Sequence, residues 1–461
     1  MLTYTLDKKE GGSLYASLYE HIREDIAGGK LKAGSRLPSK RALAENLGVS
    51  VATVESAYAQ LIAEGYAESR ERSGYYVCAV GFPQYRKPEK VPAPAEPEVK
   101  KAPLFDLSSG GGKNVIFPFS VWARTIHNVV AEKGKEIMQP TDFRGVPELR
   151  YAIADYLYQS RNLPVSGENI IIGAGNEYLY GLLVQLLGRK RNYGVEDPGY
   201  PQISRIYGAN DVKISRIPLD REGLSIKALA GSRAEILHIS PAHHFPTGIV
   251  MPVGRRNAIL NWACEKPGRY IIEDDYDSEL RHTGKPVPPL FAMDNQGKVL
   301  YLSTFSQTIS PSLRIAYVCL PGQLMEKFRK KLGFYNCAVP CFEQYTLAKF
   351  ISSGAYEKHI NRLRKKLRDK REIILDQIQN SSLKDRCRIQ EEKAGTHFLL
   401  QLQTDKSDRV LKKEAAALGI GARFLSDYQT APAESGCLVL NYACMEEEKL
   451  PAALELLSRI I

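Results

Sequence analysis

LPSKRALAENLGVSVATVESAYAQL, residues 37–61, decides how the first part of this chain folds. Ser39 is placed to cap a short helix, KRALAENL, which Gly48 ends. Ser50 can cap the next helix, VATVESAYAQLIAEG, whose Val54, Ala57, Leu61 and Ile62 are available for packing. Working outward, Leu14, Leu18, Ile22 and Ile26 recur every four residues and mark one apolar face of an earlier helix, broken at Gly28-Gly29. After Gly65, YAESRERSGYYVC alternates partly and turns around Arg70–Gly74, as a small two-stranded wing would. Three helices and a wing, with a short turn between the second and third, can set the third helix in a DNA major groove. Lys32, Arg36, Lys40 and Arg41 lie before or at the start of the second helix, and Arg70 and Arg72 flank the wing turn. These six are candidates for phosphate contacts, and Arg72 can also enter a narrow minor groove. Ser50 and Thr53 can approach phosphates or base edges from the third helix.

Charge alone does not locate such a function. The chain has 461 residues, 63 Lys+Arg against 52 Asp+Glu, and a net charge of +11, yet residues 1–80 hold ten basic and ten acidic side chains. The basic excess therefore lies downstream. Part of it is in EKHINRLRKKLRDKREIILDQI, an amphipathic pattern whose basic face reads as solvated surface or as an auxiliary attraction for DNA. With 44% hydrophobic and 25% charged residues, the composition excludes disorder, collagen and coiled coil as the main architecture. No window approaches the ~20 apolar residues that span a bilayer, and the N-terminus has no apolar leader pattern, so a cytoplasmic protein is expected. Eight dispersed cysteines form no disulfide scaffold. Cys337 and Cys341 enclose A-V-P without the further ligands of a zinc site, and no metal site is expected.

Residues 1–80 thus read as a DNA-binding winged helix, 81–105 as a connector and 106–461 as a large second domain. GFPQYRKPEKVPAPAEPEVKKAP, residues 81–103, carries six prolines and eight charged side chains, which excludes a helix or central strand. Beyond it, the strand candidates NIIIG, RYIIED, KVLYLSTF and CLVLNY alternate with helical stretches such as EYLYGLLVQLLG. That alternation favours a mostly parallel or mixed sheet covered by helices.

Both parts resemble known families. LPSKRALA, LGVS, TV and SGYYV resemble the GntR-type winged helix. DFRGVPELRYAIADYL, EDPGY, HHFPTG, EDDYDSEL and TFSQTISPSLRIAY resemble class I aminotransferases of fold type I, α/β enzymes with a smaller C-terminal α/β subdomain. Together, in this order and with this connector, the chain resembles MocR-type bacterial transcription regulators. The resemblance implies double-stranded operator DNA as a partner, a small-molecule effector sensed by the aminotransferase-like domain, and a head-to-tail homodimer. It assigns Arg41 to the family's DNA-contacting arginine. Val51 departs from it, since many relatives carry Arg just after LGVS.

The resemblance also implies a pyridoxal phosphate site. Asp274 would face the pyridine nitrogen, Tyr276 the ring oxygen, and Tyr200 would stack or contact the ligand. Arg314, with Ser303, Thr304 or Ser306, would hold the phosphate, helped by backbone N–H groups of the turn GAGNE, Gly173–Glu177. His243, His244 and Thr247 fall on the loop bordering the ring. Gln307 stands where the family's TFSK motif has its lysine. A primary amine forms and exchanges an imine with an aldehyde; an amide does not. No other lysine lies in TFSQTISPSLR. Gly436–Tyr442 also lacks the carboxylate-binding arginine usual in amino-acid-handling members, and Gln202 replaces a ligand-contacting arginine of some relatives. The expected function is therefore a DNA-binding regulator with a catalytically degenerate sensor, a pseudoenzyme that binds pyridoxal phosphate noncovalently at most, or a different effector. The rivals are a pyridoxal-phosphate-dependent aminotransferase and a DNA-binding dimer platform that needs no ligand.

Overall fold

The computed structural model describes residues 2–6, 13–80, 103–107, 116–281, 288–390, 395–431, 436–443 and 445–461. The chain divides into two compact units, Met1–Lys101 and Ala102–Ile461. Residues 81–102, most of the expected connector, lie outside the described residues, as does Cys444.

In the first unit, α1 (Leu14–Ala27), α2 (Lys40–Leu47) and α3 (Val51–Ala63) precede a hairpin of β1 (Ala67–Arg70) and β2 (Gly74–Val77). The Ser39 hydroxyl accepts from the Ala42 N–H at 3.2 Å, and Gly48 closes α2 at φ 65°. Ser50 accepts from the Thr53 N–H at 3.1 Å. Leu18, Ile22, Val54, Ala57 and Leu61 are fully buried in one core. Each large side chain buried in this way contributes about 1.5–3 kcal/mol relative to exposure. The wing pairs Ala67 with Val77 and Arg70 with Gly74.

The second unit is built on an eight-stranded mixed sheet. Its early elements are β3 (Phe105–Asp106), α4 (Phe119–Lys133), α5 (Pro147–Arg161), β4 (Ile170–Gly173), α6 (Asn176–Leu187), β5 (Asn192–Asp197), α7 (Pro201–Ala209), β6 (Lys213–Asp220) and β7 (Gly223–Leu224). Next come α8 (Ile226–Gly231), β8 (Ile236–Ile239), α9 (Val253–Cys264), β9 (Tyr270–Asp274), α10 (Leu290–Met293), β10 (Val299–Thr304), β11 (Ala316–Cys319) and α11 (Gly322–Leu332). The strand order is β4-β11-β10-β9-β8-β5-β6-β7, parallel from β10 through β6 and antiparallel at both ends. β4, β8, β9 and β10 are buried along nearly their whole length, as expected of strands covered on both faces.

The chain then continues through α12 (Cys341–Ser352) and the long α13 (Ala355–Gln379) into a smaller subdomain. There β12 (Cys387–Gln390), β13 (His397–Leu402) and β15 (Cys437–Asn441) form an antiparallel sheet, with α14 (Asp408–Ala417), β14 (Ile420–Gly421) and α15 (Leu450–Ser458). β3 pairs in parallel with β14, so the chain following the connector is anchored in this subdomain. CLVLNY is thus a strand, but of the small sheet rather than the central one. On α13, Lys358, Arg362, Lys365, Lys366 and Arg368 are exposed. Lys370 instead donates to the carbonyls of Ala443 (3.1 Å) and Met445 (2.5 Å), and Arg364 donates to that of Glu279. Among the described residues no helix is long and apolar enough to cross a membrane, and no His/Cys/Asp/Glu group could hold a metal ion.

Candidate functional site

In the first unit the caps consume part of the expected DNA-facing chemistry. The Ser50 hydroxyl is already engaged with the Thr53 N–H and lies 2.8 Å from the Thr53 hydroxyl. Lys40 pairs with Glu55 at 2.5 Å and lies 5.9 Å from the Tyr75 ring. Arg70 pairs with Glu68 at 2.7 Å and stacks 4.4 Å over Tyr76. Such exposed pairs are worth only about 0–1 kcal/mol, so a phosphate can displace them. Lys32, Arg36, Arg41 and Arg72 form no ion pair among the described residues, and Lys32, Arg41 and Arg72 are exposed. Arg36 lies along the wing, where a β-carbon at Gly74 would stand 3.2 Å from its Nε. Arg72 occupies the wing turn at φ 58°. The outward face of α3 also presents Val51, Ala52 and Ser56, which the sequence reading did not assign to DNA.

In the second unit, β4, β5, β8, β9 and β10 share one direction. Their carboxyl ends therefore bring GAGNE, EDPGY, the HHFPTG loop, Asp274 and Thr304 to one edge of the sheet, where open α/β sheets bind ligands. Asp274 is buried and held on several sides. Tyr180 donates its hydroxyl to Oδ2, Asn176 Nδ2 donates to Oδ1 at 3.3 Å, and His238 Nε2 lies 3.4 Å from Oδ2. A carboxylate only accepts, so His238 Nε2 donates to Asp274, and its Nδ1 lies 2.6 Å from the Tyr207 hydroxyl. Burial, and then the Asp274 charge, push the Tyr180 phenol well above its ordinary pKa and keep it a donor.

Asn176 also begins α6, whose N-terminus has no side-chain cap. Just before it, Gly175 (φ 92°) lies so close to Arg314 that a β-carbon there would stand 2.5 Å from Nη2. Arg314, itself at φ 51°, pairs with Glu177. Ser306 and Thr304 face one another, with hydroxyls 3.0 Å apart and the Ser306 N–H donating to Thr304 Oγ1 at 3.1 Å. Tyr200 is half-exposed. Burial raises its phenol pKa, Glu177 and Asp274 push the same way, and Arg314 and Arg423 pull it back. A helix N-terminus without a side-chain cap, beside an arginine and next to a well-anchored carboxylate, fits a phosphorylated pyridine ring.

On the bordering loop, His243 Nδ1 lies 2.8 Å from Asp277 Oδ2 and 3.2 Å from the Tyr276 hydroxyl. His244 Nδ1 lies 2.7 Å from the Thr247 hydroxyl, and its Nε2 is 3.5 Å from Glu196 Oε2. Burial, then the nearby His243, lower His244 to a pKa of about 3, while burial pushes Glu196 up to about 8. At neutral pH His244 is therefore uncharged and Glu196 mostly so. Gln307 is exposed and lines a cleft of about 1180 Å³ with Ser306, Thr308, Lys366, Lys370 and Asn441; Asp274, Tyr276 and Arg314 do not line it. The sequence reading missed Tyr180, Tyr207 and His238, which look like apolar-face or strand-core residues in a linear sequence.

Residues 14–77 match the model of the bacterial regulatory proteins of the gntR family, and residues 105–457 that of class I and II aminotransferases. The HTH-type transcriptional regulator YdeL of Bacillus subtilis is 40% identical over 88% of each chain. The probable rhizopine catabolism regulatory protein MocR of Rhizobium meliloti is 30% identical over 96% of this chain and 93% of its own. This chain belongs to the MocR-type GntR regulators. In its fold the regulator is similar to the multiple substrate aminotransferase from Thermococcus profundus, with a TM-score of 0.69 and 23% identity over 79% of this chain and 92% of that one. The regulator thus joins a winged helix to a fold type I aminotransferase-like domain.

Proposed function

We propose that this DNA-binding transcription regulator uses its aminotransferase-like unit to sense a small molecule, with pyridoxal phosphate held noncovalently as the ligand its residues fit best. The observation that carries the reading is a built cradle at Asp274 and Arg314 in a chain that holds an amide at residue 307. Asp274 keeps three anchoring partners, and Gly175 and Arg314 keep a close approach that a β-carbon at 175 would displace, while residue 307 is Gln. Pyridoxal phosphate, when bound, supplies an aldehyde and an electron-withdrawing ring to amines. Asp274 would hold the proton on its ring nitrogen, Tyr276 would donate to its ring oxygen, and Arg314, Thr304 and Ser306 would hold its phosphate. Tyr200, His243, His244 and Thr247 would border the ring. Gln307 neither attaches covalently nor shuttles a proton, which speaks against transamination.

Regulation requires that the ligand bind two arrangements of the DNA-binding units with different affinity. A cytoplasmic head-to-tail homodimer reading double-stranded operator DNA completes the proposal. Titration of the full chain with pyridoxal phosphate, followed by absorbance and calorimetry, tests it. The expected result is saturable binding that borohydride does not make permanent. No binding at high ligand concentration favours the ligand-independent dimer platform. A reducible adduct with amino-donor-dependent turnover favours the aminotransferase.

A further inference from the structure

Hydrogen-bonding side chains on α3 are either missing or already taken. VATVESAYAQLIA, Val51–Ala63, contains no Lys, Arg, His or Asn. Its single amide, Gln60, lies in the last turn and donates to Glu64 at 2.5 Å. Glu55, its single acid, accepts from Lys40 at 2.5 Å. The Thr53 hydroxyl lies 2.8 Å from that of Ser50, which itself caps the helix by accepting from the Thr53 N–H at 3.1 Å.

What the first turn does present is methyl groups. Val51 is 42% exposed and Ala52 beside it is exposed, whereas Val54, Ala57, Tyr58 and Leu61 turn inward to the core. Every Cα–Cβ bond of a helix tilts toward the N-terminus, so first-turn side chains reach ahead of the helix end. In a helix-turn-helix those N-terminal side chains meet base edges in the major groove. The cations of this unit lie elsewhere. Lys32, Arg41 and Arg72 are exposed, form no ion pair among the described residues and suit phosphates, whose contacts position a protein without reading sequence.

In the major groove guanine is read by Arg or Lys, adenine by Asn or Gln, cytosine by Asp or Glu, and thymine by apolar contact with its 5-methyl group. The first turn of α3 leaves only the last of these open. We infer that Val51, with Ala52, selects thymine in the operator by packing against its 5-methyl group, so that this turn reads A·T pairs rather than guanine. The exposed Ser56 hydroxyl both donates and accepts, and so discriminates little between bases. The inference rests on the DNA-binding role stated above and adds the base that is read.

Duplexes selected from a random pool by the full chain supply the operator. Fluorescence anisotropy then follows its binding with each thymine changed in turn to deoxyuridine, which lacks only the 5-methyl group. At one or more thymines the wild type is expected to lose about fourfold in affinity, the worth of one buried methyl. In Val51→Ala the loss at the same thymine should shrink to less than about twofold, the sign of a direct coupling between the two methyl-bearing groups. Affinity for an unrelated duplex, which depends on phosphate contacts, should not change in that variant. Absence of any sensitive thymine overturns the inference, as does a loss of equal size in Val51→Ala. Failure to enrich any sequence overturns it too, and binding of the wild type to the unrelated duplex then shows whether the DNA-binding role falls with it. Because Val51 is exposed, the variant is expected to fold, and its thermal transition checks this.

Discussion

Gly175 and Arg314 are in mutual contact: a β-carbon at residue 175 would stand 2.5 Å from Arg314 Nη2 and 2.8 Å from its Cζ. Gly175→Ala would place a side chain at φ 92°, where L residues are strained, and drive the guanidinium away from α6. Affinity for pyridoxal phosphate should fall at least about tenfold, as for Arg314→Ala, because each removes a charge-assisted contact worth about 1.5–3 kcal/mol. Calorimetry reads this. Unchanged affinity in both variants would remove Arg314 from the phosphate site.

Gln307→Lys returns a primary amine to a chain that otherwise keeps its cradle. The variant should form a borohydride-reducible linkage with pyridoxal phosphate at residue 307, located by peptide mass analysis. The wild type should form none there. If the new amine stays unmodified while the ligand binds, residue 307 does not face the aldehyde.

Arg41 and Arg72 carry no ion pair among the described residues, so their contribution to DNA binding can be read without disturbing a salt bridge. Arg41→Ala and Arg72→Gly should each weaken operator binding and lower the slope of log K against log salt by about 0.9 if each contacts one phosphate. Glycine at 72 also relieves the positive φ, so folding stability should hold or rise while DNA affinity falls. Fluorescence anisotropy at several salt concentrations, paired with thermal melts, separates the two effects.

The buried His244 and His397 each make a contribution of known sign to the pH dependence of the second unit, opposed by Glu196, Glu273 and Glu279, which burial raises to about 8, 7 and 7. Each histidine has a folded pKa lowered by burial from 6.5 to about 3, and His397 Nε2–H donates to the Pro246 carbonyl at 3.2 Å. Between pH 6.5 and 3 the unfolded chain binds the extra protons, so stability is present above about 6.5 and falls as pH drops through that window. Each histidine contributes a slope of up to about 1.4 kcal/mol per pH unit. Their share is read as a difference: in urea denaturation at about pH 7, 6 and 5, His397→Gln should change stability on acidification by up to about 1.4 kcal/mol per pH unit less unfavourably than the wild type, whatever the opposing carboxylates contribute to both.

Much of the first unit was legible because its determinants are local. Ser39, Gly48 and Ser50 set helix ends by contacts within four residues, and the spacing of Leu18, Ile22, Val54 and Leu61 marks their buried faces. In the second unit, the core strands announced themselves as short apolar runs, and the quoted motifs told which loops carry chemistry. The partners of those motifs were not legible. Tyr180 lies on an otherwise apolar helix and His238 in a buried strand, and hydropathy ranks both as core. Their polar ends meet Asp274 only because β8 and β9 are neighbours in the sheet and α6 brings the Tyr180 ring to within 4.9 Å of His238.

By itself, then, the sequence determined the two-part organisation, the helix boundaries of the winged unit, and the amide at 307 that breaks the match to a lysine-bearing enzyme. Tertiary structure alone decided which side chains hold Asp274, that a β-carbon at residue 175 would meet Arg314, and that CLVLNY joins the small sheet rather than the central one. The physical reason is range. Caps and periodic faces depend on neighbours a few residues apart, whereas strand order and register join distant segments and leave no mark in local composition.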